Sequence, residues 1–380
     1  MNGGRCRATV HHRQKWNRLH AQADLIAESA GDLVGGFTRP IVDRMVGYVP
    51  GEQPRDRRYI KLNTNENPYP PSARVIDAVR AAAGAELRLY PDPTADALRD
   101  RAAAVYQFRR DQILVGNGSD DLLNLIVRAC VGAGERVAFP FPTYSLYDTL
   151  VTLQEGEAVH VPYPEDFSLP DGLAEARARL TFVCHPNSPS GTPVPIEAIA
   201  RLAKQVTGLL VVDEAYVDFA DANALPLVRA CDNVVVLRTF SKSFSLAGMR
   251  IGLAFGPPTV IAALLKVKDS YNVTRLSMVA ATAALDDYPW MEANVARIRC
   301  TRDRLTAQLA ARGFSVLPSH ANFVLARRRG SSLEPVYHGL KARGVLVRYF
   351  PTPQLFDALR ITVGTDAEVD ALLAALDEMA

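Results

Sequence analysis

Short, nearly unbroken apolar runs alternate along this chain with stretches whose apolar positions recur every three or four residues. The runs fall at 112–115, 136–139, 158–161, 180–184, 209–212, 234–237 and 251–255. Between the first two, Leu122, Leu123, Ile126, Val127 and Cys130 recur at helical spacing behind Ser119, a good helix cap. Runs without polar alternation suit strands covered on both faces. The pattern therefore predicts an α/β fold with a mostly parallel central sheet covered by helices.

The flanks read differently. Residues 37–71 are extended and turn-rich, with Pro40, Pro50, Pro54, Pro68, Pro70 and Pro71. The polar stretch Asn63 to Asn67 carries too many side-chain hydrogen-bonding groups for a strand interior. Helices are predicted at about 73–83 and 94–106, the second with Leu98, Ala102 and Val105 on one stripe, and a loop at 87–93 joins them. Beyond Tyr271 the texture becomes that of a smaller α+β domain. It has a long helical stretch at 297–313, strands at 314–317, 323–326, 345–349 and 359–363, and helices at 333–343 and 366–378. The expected organisation is a basic, flexible extension at 1–36 and a segment at 37–71 that joins the small domain. A large domain at 72–270 and a small C-terminal domain at 271–380 complete it.

Composition narrows the picture. At 380 residues the chain exceeds what one core usually supports. A net charge of +2 gives no general attraction to nucleic acid or to an anionic membrane. Cys6, Cys130, Cys184, Cys231 and Cys300 are scattered without CxxC spacing, which argues for a reducing cytoplasm and against a structural zinc site. Arg5, Arg7, Arg13, Lys15 and Arg18 precede the first acid, Asp24, with no apolar segment after them. That is not a secretory signal, and it reads as a frayed extension rather than an organelle transit peptide. His11 and His12, being adjacent, diverge on a helix and have no further ligands, so no metal is expected.

The candidate chemistry lies where the apolar runs end, since open parallel sheets bind ligands beyond the carboxyl ends of their strands. After 234–237 comes Thr239-Phe-Ser241-Lys242-Ser-Phe-Ser-Leu-Ala-Gly248-Met-Arg250. A lysine between hydroxyls, with an arginine eight residues on, suits a Schiff base to pyridoxal phosphate (PLP). Asp213 directly follows 209–212 and can pair with a protonated pyridine nitrogen, and Tyr216 can donate to the ring oxygen. Asp213 can equally cap a helix. Asn187, between Pro186 and Pro189, is a well-held donor for the same oxygen, while His185 beside it reads as a hydrogen-bonded loop residue rather than a base. Gly118, Ser119 and Asp120 open a helix whose free amides favour a phosphate. Tyr144 can stack on the ring or simply pack. Arg360 opens an apolar strand and, like Arg348 more weakly, reads as an anion fork or a structural ion pair.

Together these motifs resemble the class I/II PLP-dependent aminotransferases of fold type I. Within them the chain is similar to the histidinol-phosphate aminotransferases over residues 40–380. The likeness rests on Tyr48-Val-Pro-Gly, Leu62-Asn-Thr-Asn-Glu-Asn-Pro, Tyr90-Pro, Gly116-Asn-Gly-Ser-Asp, Pro142-Thr-Tyr144, Pro186-Asn187, Asp213-Glu-Ala-Tyr216, Ser241-Lys242, Gly248-Met-Arg250 and Leu359-Arg360-Ile-Thr-Val-Gly364. It implies that Lys242 carries the cofactor and moves the α-proton. Asp213 would meet the pyridine nitrogen, Asn187 and Tyr216 the ring oxygen, and Ser119, Asp120, Ser241 and Arg250 the phosphate. Tyr90 would reach the cofactor of a neighbouring subunit, making the enzyme a homodimer with shared active sites. Tyr48, Asn65, Arg348 and Arg360 would bind substrate. The implied reaction exchanges an amino group between L-histidinol phosphate and 2-oxoglutarate in histidine biosynthesis. An aromatic amino-acid aminotransferase or a threonine-phosphate decarboxylase would share these cofactor residues. A regulator using such a domain as a ligand sensor is more remote, because 36 residues with one candidate helix at 22–29 are short for a DNA reader. His185 and the Ser188-Pro-Ser190 run depart from the commoner residues of that loop, and the segment before residue 37 lies outside the family pattern.

Overall fold

Two compact units divide the chain, Met1–Gly47 and Tyr48–Ala380. The structure, a computed structural model, describes residues 36–45 and 47–379. The stretch 22–29, the basic residues from Arg5 to Arg18 and the His11-His12 pair therefore lie outside the described residues. In the first unit Pro40–Arg44 form a short helix that opens on its proline, where no backbone N–H is needed.

The described residues of the second unit form thirteen strands, among which the apolar runs all reappear. They are β1 (Ile60–Lys61), β2 (Ile113–Gly116), β3 (Arg136–Phe141), β4 (Glu157–Pro162), β5 (Leu180–Cys184), β6 (Leu209–Asp213), β7 (Val234–Thr239), β8 (Gly252–Phe255), β9 (Ser315–Val316), β10 (Phe323–Arg327), β11 (Val345–Leu346), β12 (Arg348–Tyr349) and β13 (Ala358–Thr362). Seven form the central sheet in the order β2-β8-β7-β6-β5-β3-β4. Neighbours are parallel except β8, which runs against both β2 and β7. Strands β5, β7 and β8 inside the sheet, and edge strand β2, are buried along their whole length, and β3 and β6 everywhere but at their ends, as unbroken apolar runs require. Edge strand β4 alternates instead and shows Glu157, His160 and Pro162 to solvent, which discourages pairing with another edge.

The reversed β8 has a consequence for the site. Because β7 and β8 are antiparallel neighbours, the loop between them leaves and re-enters the sheet at the same end. Lys242 and Arg250 both ride on that loop. The carboxyl ends of β2, β3, β4, β5, β6 and β7 share this end, and the loops after all of them but β4 meet there.

Helices cover the sheet with the expected boundaries shifted slightly. Ser72 caps Ala73–Ala82 by accepting from the Val75 amide. A 3-10 turn at Ala85–Arg88 overlaps the start of the supposed loop at 87–93. The helix Ser119–Cys130 is capped by Gly118, not by Ser119. Gly118 stands at φ +86°, and a Cβ there would lie 2.5 Å from Arg250 Nη2, so only glycine fits. The stretch expected to be helical at 297–313 belongs to a helix that starts earlier, Tyr288–Ala311, with Pro289 in its first turn. Beyond it β12-β13-β10-β9 form an antiparallel sheet, and β1 pairs in parallel with β11. The run expected as one strand at 345–349 is thus split between two sheets at Val347. Among the described residues no helix is long and apolar enough to cross a membrane.

Candidate active site

A cavity of about 200 Å³ opens where the five loops meet. Lys242, Asp213, Tyr216, Ser241, Arg250, Ser119, Asp120, Tyr144, Asn65, Tyr48, Arg348 and Arg360 all line it. Asn187, Gly118 and Tyr90 do not.

Lys242 extends from the β7–β8 loop and its Nζ donates to the Thr64 carbonyl at 3.2 Å. Burial, and then the nearby Arg360, draws its pKa down to about 8, so the neutral amine is accessible near neutral pH. The loop is held from outside by Asn67, whose Nδ2 donates to the carbonyls of Lys242 and Ser243 at 3.0 Å each.

Asp213 ends β6 with 2% exposure. Its Oδ2 accepts from the Tyr147 hydroxyl at 2.8 Å and its Oδ1 from the Ala215 amide at 3.2 Å. Burial raises its pKa to about 6, and among the described residues no cationic side chain pairs with it. Nor does it cap a helix. A buried carboxylate facing a cavity without a counter-ion fits a group that brings its own positive charge, as a protonated pyridine does.

One wall is built for an anion. Arg250 Nη1 donates to Ser241 Oγ at 3.2 Å, and Nη2 meets Asp120 Oδ2 at 3.2 Å. Asp120 also accepts from the Tyr144 hydroxyl at 3.1 Å. Its charge is therefore matched by Arg250 and does not oppose a phosphate at the amides that open the helix after Gly118. Tyr144 stands edge-on to Tyr48 at 5.9 Å and to Tyr147 at 5.7 Å.

Above lie the arginines. Strands β12 and β13 set Arg348 and Arg360 directly opposite each other, an unfavourable pairing of like charges. Arg360 donates to Ser188 Oγ at 3.2 Å and to the Asn63 carbonyl at 3.0 Å, and its buried Nε has no partner. Arg348 donates to the carbonyls of Pro50 and Val49, both at 3.0 Å. Among the described residues neither meets a carboxylate, which disposes of the structural ion pair.

Tyr216 accepts from Asn65 Nδ2 at 3.1 Å, and burial raises its pKa to about 12, so it stays a phenol. Asn65 itself sits at φ +57°, pinned through Thr362 and Asn322. Asn187 is fully buried beside the cavity. Its Nδ2 donates to Ser190 Oγ at 2.9 Å and more weakly to the Pro142 carbonyl at 3.4 Å, while Oδ1 accepts from Thr143. Tyr90 is 78% exposed and stacked on Tyr271 at 4.5 Å.

His185 is a bonded loop residue. Its Nδ1 accepts from the Val194 amide at 2.9 Å, Nε2 lies 3.2 Å from the Ala222 carbonyl, and burial lowers its pKa to about 4. A depressed histidine contributes stability that is complete above about pH 6.5 and lost as pH falls toward 4. Raised Asp213 acts in the opposite sense over an overlapping range, so the two must be separated by a variant. His185→Gln should lower unfolding free energy at pH 7.5, by an amount that shrinks by on the order of 3 kcal/mol toward pH 4. Denaturant titrations of both proteins across that range check it, and a penalty independent of pH would refute the assignment.

Sequence reasoning missed Tyr147, Thr64 and the opposition of the arginines. An aromatic inside an apolar helix reads as core, a backbone acceptor has no residue signature, and register between strands is not written locally.

The family model for aminotransferase class I and II matches residues 57–376. The histidinol-phosphate aminotransferase of Syntrophotalea carbinolica is 48% identical over 342 residues, 90% of this chain and 99% of that one. Histidinol-phosphate aminotransferase 1 of Trichormus variabilis is 44% identical over 345 residues, with 90% and 99% covered. The crystal structure of histidinol-phosphate aminotransferase from Sinorhizobium meliloti in complex with pyridoxal-5'-phosphate superposes with a TM-score of 0.84 at 29% identity, covering 92% of this chain and 100% of that one.

Proposed function

The chain belongs to the aminotransferase class I and II family, and from that premise we propose that it is a PLP-dependent histidinol-phosphate transaminase of histidine biosynthesis. It exchanges an amino group between L-histidinol phosphate and 2-oxoglutarate, giving imidazole acetol phosphate and glutamate, and runs in either direction.

The observation that supports the substrate most is the opposed pair Arg348 and Arg360. Two guanidinium groups facing one cavity without carboxylate partners call for an anion. Histidinol phosphate carries a phosphate where glutamate carries its α-carboxylate, and guanidinium geometry accepts both.

PLP, when bound, supplies an electron sink for the charge left at the substrate α-carbon as its proton departs. Lys242 would hold it covalently and Asp213 would face its pyridine nitrogen. Ser119, Ser241, Arg250 and the amides after Gly118 would take its phosphate, with Asp120 holding Arg250 in place. Tyr144 would cover its ring. Tyr216 would donate to the ring oxygen, and Asn187 would do so by releasing its long bond to Pro142. The free Lys242 amine would take the proton from the substrate α-carbon and deliver it to the cofactor side of the C–N bond, as amino-group transfer requires. Its lowered pKa leaves it neutral often enough to do so.

Tyr90 lies on the surface outside its own cavity, which supports the reading that it completes the site of a second copy in a homodimer. The scattered cysteines support a cytoplasmic setting.

Turnover with glutamate across a panel of keto acceptors tests the assignment. Imidazole acetol phosphate should give the highest kcat/KM. Greater efficiency with phenylpyruvate would transfer the enzyme to the aromatic aminotransferases, and carbon dioxide release from threonine phosphate to the decarboxylases.

A further inference from the structure

The helix Leu146–Leu153 begins just after Tyr144 and sets one side chain, Tyr147, against Asp213 outside the cavity lining. Tyr147 is fully buried, stacked on Phe182 at 4.6 Å and edge-on to Phe139 at 5.7 Å. Phenylalanine would satisfy every one of those contacts. Its hydroxyl is buried beside the Cys184 thiol and donates to Asp213 Oδ2 at 2.8 Å, so its charged partner is the Asp213 carboxylate. The same ring also touches Tyr144 edge-on at 5.7 Å. One side chain thus braces both the carboxylate assigned to the pyridine nitrogen and the aromatic assigned to the ring face.

We infer that Tyr147 is a positioning residue which, through its hydroxyl, holds Asp213 ionised and aimed at the cofactor nitrogen. The inference rests on the PLP reading above. A donor at Oδ2 stabilises the charged form of a carboxylate that burial otherwise pushes toward neutrality. The other titratable groups around Asp213 do not supply this. The Cys184 thiol on β5 and the Tyr216 phenol are held in their neutral forms by burial, and Asp120 across the cavity raises the Asp213 pKa further. Cys184 turns its thiol to the Pro186 carbonyl at 3.3 Å. Lys242 spends its amine on Thr64. Without the Tyr147 hydroxyl, Asp213 would take up a proton at higher pH and lose its attraction for a protonated pyridine.

The test measures PLP binding to the full-length cofactor-free protein by equilibrium dialysis between pH 5 and 9, and thus does not depend on turnover. Tyr147→Phe should move the acid limb of the pH profile up by about one unit, so that binding weakens about tenfold at pH 5 but only about twofold at pH 7. In an Asp213→Asn background the same substitution should change nothing, since the hydroxyl then has no charge to hold. An unchanged profile in the single variant would overturn the inference, as would an equal loss in both backgrounds, which would assign Tyr147 to packing alone. Failure of the parent protein to bind PLP at all would instead remove the reading on which the inference stands.

Discussion

Lys242→Ala is expected to lower transamination of imidazole acetol phosphate by at least about 10⁴-fold and to leave any bound PLP without its covalent attachment. The size of the effect follows from two roles falling on one amine. It anchors the cofactor, and once released it is the group placed to take the α-proton. Among the described residues the amine's only hydrogen bond is to the Thr64 carbonyl, so the fold loses little with it. Lys242→Arg separates charge from proton transfer. Arginine keeps the positive charge and most of the volume, but it cannot deprotonate at neutral pH. It should be as inactive as alanine. The measurement is single-turnover formation of glutamate or histidinol phosphate, together with the visible spectrum of the purified protein after borohydride treatment. Turnover by either variant within tenfold of the parent would end the PLP assignment.

The placement of Lys242 was legible because its signals are local. A strand ending in a polar loop, a lysine flanked by hydroxyls and an arginine eight residues on can all be read from one short segment. Asp213 was legible for the same reason, as a carboxylate directly after an apolar run. Topology then did what local reading could not. Antiparallel β8 brings Arg250 back beside Ser241, and five strand ends gather residues far apart in sequence. Where a role depends on register, sequence was silent. Arg348 and Arg360 were each noticed singly, yet only the pairing of β12 with β13 sets them face to face. Tyr147 carried no signal because its apolar neighbours explain its ring and nothing local explains its hydroxyl. The misplaced helix cap has a similar origin. Ser119 has the better capping chemistry, but the backbone before it stands at φ +86°, which reserves that position for glycine. Asp120, an acid at a helix start suited to a phosphate, has its charge matched by Arg250, a pairing that only the fold supplies.

Arg360→Met should produce opposite effects on stability and activity. Arg360 is a charged group whose Nε is buried without a partner, whose neighbours across the strand include Arg348, and whose remaining bonds go to neutral oxygens. Methionine of similar length would keep the packing against Phe323 and Phe350, whose rings lie 5.3 and 5.7 Å from the guanidinium carbon. Removing a half-buried charge that has no carboxylate partner among the described residues should therefore raise the unfolding free energy of the cofactor-free protein by about 1 kcal/mol. Catalysis should move the other way. A bidentate contact to a carboxylate or phosphate is worth about 3 kcal/mol, so kcat/KM should fall about 10²-fold for both glutamate and imidazole acetol phosphate. Arg348→Gln should be selective instead. A second guanidinium matters more to a dianionic phosphate than to a carboxylate, so the phosphorylated acceptor should lose about tenfold more efficiency than glutamate does. Denaturant unfolding and two half-reaction rates decide the matter. If Arg360→Met destabilised the protein while sparing both half-reactions, the arginine would be a structural element and the anion pocket would have to be sought elsewhere in the cavity.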